Sequence, residues 1–142
     1  MRIKKVSQTT PVTAQVVDGY STSTTDAYSA NYVNGLNTYS TTEQRIGTWI
    51  DGKPLYRRVV QITSPSTTGS GESVVNYSSW DVSELINVYG RIKSTNNTAF
   101  SSGNQFYIWD RTTTKYIAVQ VENSTYTNYP MDVIVEYTKT TD

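Results

Sequence analysis

Neither cysteine nor histidine occurs anywhere in the 142-residue chain, which removes thiolate nucleophiles, disulfide frameworks, imidazole bases and most zinc or redox-metal sites. The candidate acid–base groups are therefore its 12 carboxylates. A glycosidase needs two carboxyl groups about 5 to 10 Å apart, one with a raised pKa. Local spacing brings no such pair together, and Asp51 with Asp110 or Glu84 could meet only through the fold. Asp51 stands before Gly52 and reads as a turn residue. Serine and threonine are abundant, but without histidine a hydroxyl nucleophile needs a lysine or carboxylate base, and no Ser-x-x-Lys motif stands out. Gly69-Ser70-Gly71 lacks the Lys and Ser/Thr that complete a phosphate-binding loop and reads as a flexible loop. The expectation is a chain that is not an enzyme and holds no metal and no cofactor.

Aromatic residues offer a different chemistry, because the C–H faces of pyranose rings pack on aromatic rings while polar neighbours bind hydroxyls. There are 3 tryptophans and 12 tyrosines against 2 phenylalanines. Trp49, Trp80 and Trp109 suit a sandwich core as well as a sugar platform. Tyr126 and Tyr129, with Asn123 and Asn128 in the same polar segment, are better placed for glycan contact, the alternative being ordinary loop residues. Asn76-Tyr77-Ser78 and Asn96-Asn97-Thr98 match the glycosylation pattern, which matters only in a eukaryotic secretory route.

Charge narrows the partners. Lysine plus arginine balance aspartate plus glutamate at 12 each, so no global field holds nucleic acid or an anionic membrane. Arg2, Lys4 and Lys5 form a local basic cluster, either a solvated terminus or a contact for an acidic surface. No window approaches the ~18 apolar residues of a membrane span. The basic start also lacks the apolar block of about 7 to 15 residues of a secretory signal. The expectation is a protein made in a cytoplasm without membrane insertion.

Three regions must position these groups. In residues 1–22, Val12, Ala14 and Val16 alternate with polar neighbours between Pro11 and Asp18-Gly19. That pattern predicts an extended arm that pairs with a partner or folds back as an edge strand. In residues 23–40, Thr24 or Thr25 can cap a short helix with Asp26 in its first turn. Tyr28, Tyr32 and Leu36 at i, i+4 and i+8, with Val33 beside them, give one apolar stripe. A helix of about three turns is unstable alone in water. The stripe packs either on its own domain or on identical neighbours, and the polar leader around it favours a trimer.

Residues 41–142 turn to β. Arg45–Ile50 and Pro54–Ile62 flank Asp51-Gly52, the strongest short-range hairpin signal in the chain. Further runs at 73–77, 86–92, 105–110, 116–121 and 131–138 complete seven strands, with Asp81–Leu85 read as one helical turn and Arg111–Lys115 as a hairpin tip. The fold class predicted is mainly β, an antiparallel β-sandwich of jelly-roll-like type forming a knob behind the extended arm and the trimerising helix. Its expected core is Ile46, Trp49, Leu55, Val59, Val75, Trp80, Leu85, Ile92, Phe106, Ile108, Ile117, Val119, Val133 and Val135.

Two stretches carry a family resemblance. Thr-Pro-Val-Thr-Ala-Gln-Val-Val at 10–17 with Ser-Thr-Thr-Asp-Ala at 23–27 resembles the start of small bacteriophage head-fibre proteins. Ile46 to Arg57, with Val133 to Asp142, is similar to the head domain of phage tail fibres and minor structural proteins. The resemblance implies an anchoring N-terminus (Arg2, Lys4, Lys5, Val12, Ala14, Val16), a trimeric stem (Tyr28, Tyr32, Val33, Leu36) and a β-rich distal knob. It also implies partners: two further copies, a capsid or other virion protein, and a host-surface glycan. The expected location is the virion surface after assembly in the host bacterial cytoplasm. A free-standing carbohydrate-binding module is the competing class, separated by whether arm and helix are needed.

Overall fold

The computed structural model describes residues 38–140 and, ahead of them, two short strands, β1 (Val16–Val17) and β2 (Ala27–Tyr28). The chain divides into two compact units, residues 1–35 and 36–142. In the first, β1 and β2 pair in parallel, with Val16 opposite Ala27 and Val17 opposite Tyr28. Val16 thus lies in an extended, paired segment as its alternation predicts. Ala27–Tyr28 corrects the reading that places them in the opening turn of a helix. Backbone pairing with a β-branched Val-Val segment offers them hydrogen bonds that a short helix with a costly nucleus does not. Arg2, Lys4, Lys5, Val12 and Ala14 of the expected arm, and Tyr32, Val33 and Leu36 of the expected stem, lie outside the described residues.

The second unit contains β3 (Gln44–Thr48), β4 (Pro54–Thr63), β5 (Glu72–Asn76), β6 (Val82–Lys93), β7 (Thr98–Phe100), β8 (Phe106–Arg111), β9 (Tyr116–Val121) and β10 (Pro130–Lys139). They form two antiparallel sheets, ordered β3-β4-β10-β6-β7 and β5-β9-β8. β10 is the central strand of the larger sheet, paired with β4 on one side and β6 on the other. Its alternate residues Met131, Val133, Val135 and Tyr137 are buried and join one core with Val75, Phe106, Ile117, Val119 and Val121 of the smaller sheet and with Tyr77, which follows β5. Burial of each such side chain contributes roughly 1.5–3 kcal/mol, so this shared layer is what holds the sheets together.

Local chemistry explains the connections. In the β3–β4 hairpin, Trp49 N–H donates to Lys53 O at 2.8 Å and Gly52 N–H to Trp49 O at 2.9 Å. Gly52 has φ 87°, the left-handed position of a three-residue loop that glycine occupies without steric cost. Asp51 Oδ1 accepts from Lys53 N at 3.0 Å, confirming its role as a turn residue. The expected helical turn at Asp81–Leu85 is instead the start of a strand. Asp81 has φ 59° and its carbonyl accepts from Thr140 N–H at 2.9 Å, so pairing with the far end of β10 draws the following residues into β6. Strand β7, which the sequence reading omits, adds Thr98–Phe100 to the edge of β6.

The core differs from expectation in its tyrosines. Tyr77 and Tyr137 are 2 % and 0 % exposed. Each hydroxyl finds a carboxylate: Tyr77 donates to Asp110 Oδ1 at 2.6 Å, and Tyr137 donates to Glu43, which also pairs with Lys139. A buried tyrosine costs little once its hydroxyl is satisfied. Ile46, Trp49, Leu55 and Val59 are only half-buried, whereas Trp80, Leu85 and Ile108 pack against the core from its margin.

Candidate functional site

The same alternation that sends Val133 and Val135 inward leaves Asp132, Ile134 and Glu136 on the other face of β10. Strand register then builds rows across the sheet. Asp132 stands opposite Gln61 of β4 and Arg91 of β6, and Arg91 opposite Phe100 of β7. Ile134 stands between Val59 and Tyr89, and Glu136 between Arg57 and Asn87. The segment before β3 runs beside β4, with Val59 N–H donating to Ser40 O at 2.8 Å, and Tyr39 folds over the face from there. The result is a groove of about 510 Å³ lined by Tyr39, Ser40, Thr41, Val59, Gln61, Tyr89, Gly90, Arg91, Phe100, Asp132 and Ile134. That volume lies within the ~300–1,000 Å³ of small-molecule sites.

Electrostatics fix the side chains. Arg91 Nε donates to Asp132 Oδ2 at 2.8 Å and Gln61 Nε2 to Asp132 Oδ1 at 3.1 Å. Burial pushes the Asp132 carboxyl up, but the Arg91 and Gln61 hydrogen bonds and the Arg91 charge outweigh it and hold the group below the usual carboxylate range. The Arg57 guanidinium lies 4.1 Å below the Tyr39 ring and 3.7 Å from Glu136 Oε1. The Tyr39 and Tyr89 hydroxyls are 3.2 Å apart. Burial first, then the Tyr39 hydrogen bond and the Glu136 charge, push the Tyr89 hydroxyl above its ordinary value, so it stays neutral. Tyr39 and Phe100 are 58 % and 57 % exposed, leaving two aromatic faces at the rim. The arrangement supplies stacking surface and fixed hydrogen-bonding groups, which is chemistry for holding a ligand.

The glycan residues expected from sequence are gathered in one loop, but their polar groups hold that loop together. Asn123 Oδ1 accepts from Thr125 N–H at 2.9 Å at the start of a short 3-10 turn, and its Nδ2 donates to Gln105 Oε1 at 3.1 Å. Asn128 has φ 59° and its N–H donates to Pro65 O at 3.2 Å. Tyr126 and Tyr129 are half-buried and pack against the core. Tyr129 N–H donates to Ser64 Oγ at 3.0 Å, and that hydroxyl donates to Tyr126 O at 2.6 Å.

The other candidates disperse. Asp51 lies in the β3–β4 turn, Glu84 on β6, and Asp110 at the end of β8, where it accepts from Tyr77 and from Thr112 Oγ1. Trp80 packs on Tyr137 at 5.6 Å, and Trp109 lies against Gly71 beneath Arg111. Among the described residues, no group of three or more acidic side chains is arranged to hold a metal ion. No helix among them is long and apolar enough to cross a membrane. Gln61, Arg91 and Asp132 were not singled out by the sequence, since each is an ordinary polar member of a strand alternation. Comparison with known protein families, characterised proteins and solved structures returns no match.

Proposed function

We propose that this chain is a non-enzymatic structural fibre or decoration protein of a phage virion, a homotrimer held to the capsid or another virion protein by its N-terminal arm. Its knob faces outward and holds a host-surface glycan in the groove on the five-stranded sheet. The observation that carries the adhesive part is the groove itself, where exposed aromatic rings flank a row of planar hydrogen-bonding groups. The fibre part rests on the resemblance of residues 10–17, 23–27, 46–57 and 133–142 to phage fibre proteins. The knob is read as an antiparallel β-sandwich of jelly-roll-like type, a reading supported by its two antiparallel sheets of five and three strands.

A tail-fibre receptor-binding protein or a free-standing carbohydrate-binding module would use the same groove. Assembly separates these classes. Light scattering on the full chain should give three times its 15.9 kDa mass, and immunogold labelling should place it on the particle surface. A concentration-independent monomer that fails to label particles would overturn the fibre and leave the binding module.

A further inference from the structure

The groove's polar row is balanced in charge and mixed in hydrogen-bonding sense. Arg91 spends Nε on Asp132, and its two terminal nitrogens have no hydrogen-bond partner among the described residues. Gln61 spends its amide N–H on Asp132, so its carbonyl oxygen remains an acceptor beside the carboxylate. Side by side the row presents guanidinium donors, a carboxylate and an amide acceptor on three neighbouring strands, about 4.8 Å from one to the next. Phe100 stands opposite Arg91, and Tyr89 and Tyr39 line the same groove.

We infer that the groove selects neutral hexopyranose units, with Asp132 as the residue that excludes acidic sugars. The inference rests on the reading of the knob as a glycan adhesin. A vicinal diol matches the row, because one hydroxyl accepts from Arg91 while its neighbour donates to Asp132 or Gln61. The ring's C–H face then lies on Phe100 or Tyr89. A uronic acid would bring its carboxylate to the same floor. There the attraction of Arg91 is offset by Asp132, whose carboxylate already lies 2.8 Å from the guanidinium and repels a second anion. The net-neutral pair therefore rewards hydroxyls and gives an anion no gain.

The test is an NMR chemical-shift titration of the full-length protein with the methyl glycosides of glucose, galactose and mannose, and with the methyl glycosides of the corresponding uronic acids. At least one neutral glycoside should bind about tenfold or more tighter than its uronic counterpart, with shifts centred on Arg91, Phe100 and Asp132. Asp132→Asn should weaken the neutral ligand and bring the uronic acid level with it or ahead. Arg91→Gln, at an exposed side chain, should weaken both and provides a second variant should Asp132→Asn fail to fold. Equal or tighter binding of the uronic acid to the unaltered protein would overturn this inference and leave the adhesin reading intact. Silence from every glycoside would overturn both.

Discussion

Gly90 is the position at which the sheet beneath the groove can be broken most cleanly. It sits on β6 opposite Val133 of β10, and a Cβ added there would lie 2.5 Å from the backbone oxygen of Asp132 and 3.1 Å from Ile108 Cδ1. The closer obstacle is main chain in the central strand, so Gly90→Ala can be accommodated only by separating β6 from β10. Overpacking of this kind costs about 1–3 kcal/mol, offset by the ~0.4–1 kcal/mol that alanine gains over glycine through the unfolded chain. A net loss of roughly 1–2 kcal/mol is expected. At ~4–8 °C per kcal/mol for a domain of this size, the melting temperature should fall by about 5–15 °C. Urea unfolding followed by tryptophan fluorescence should show a lower midpoint with an unchanged slope. A midpoint equal to or above that of the unaltered protein would mean that β6 and β10 do not approach as closely as their register requires.

Gly52→Val should cost more than ~1 kcal/mol in thermal melts through its positive φ alone, since a Cβ there meets nothing within 4 Å; an unchanged melt would argue against the left-handed turn. Stability should hold from neutral pH to about pH 9.5 and fall above about pH 10, where tyrosines ionise in the unfolded chain. Tyr77, Tyr89 and Tyr137 are held protonated in the fold by burial, then by hydrogen bonds to Asp110, Tyr39 and Glu43, so their contribution is complete below the unfolded pKa and lost as pH climbs toward their raised values. A flat urea midpoint to pH 11 would contradict this. A chain beginning at Thr38 should still melt cooperatively, since residues 36–142 form a compact unit with its own core, and a broad, non-cooperative melt would show that the preceding residues complete the fold.

What the sequence revealed were the features decided by neighbours in the chain. Asp51-Gly52 is legible because a left-handed turn position demands glycine locally, and β9 and β10 are legible because Ile117, Val119, Val133 and Val135 repeat at the strand period. Features decided by distant partners were not. The i, i+4 spacing of Tyr28 and Tyr32 suggests a helix, yet Tyr28 is placed by pairing with Val17. Tyr77 and Tyr137 look like solvated-face residues until carboxylates 33 and 94 residues away satisfy them. The groove is the extreme case. Gln61 and Arg91 meet Asp132 across separations of 71 and 41 residues, through strands that are not consecutive in the chain. Only the register of β4, β10 and β6 makes them one row.

The proposed adhesion through this sheet face can be tested with a glycan microarray probed with labelled full-length protein. Three forms belong on the array: the unaltered chain, a Phe100→Ala and Asp132→Asn double variant, and a Tyr126→Ala variant in the neighbouring loop, each checked for native melting. Binding to at least one bacterial surface glycan is expected, lost in the groove variant and retained in the loop variant. Binding that survives the groove variant and disappears with Tyr126→Ala would contradict it.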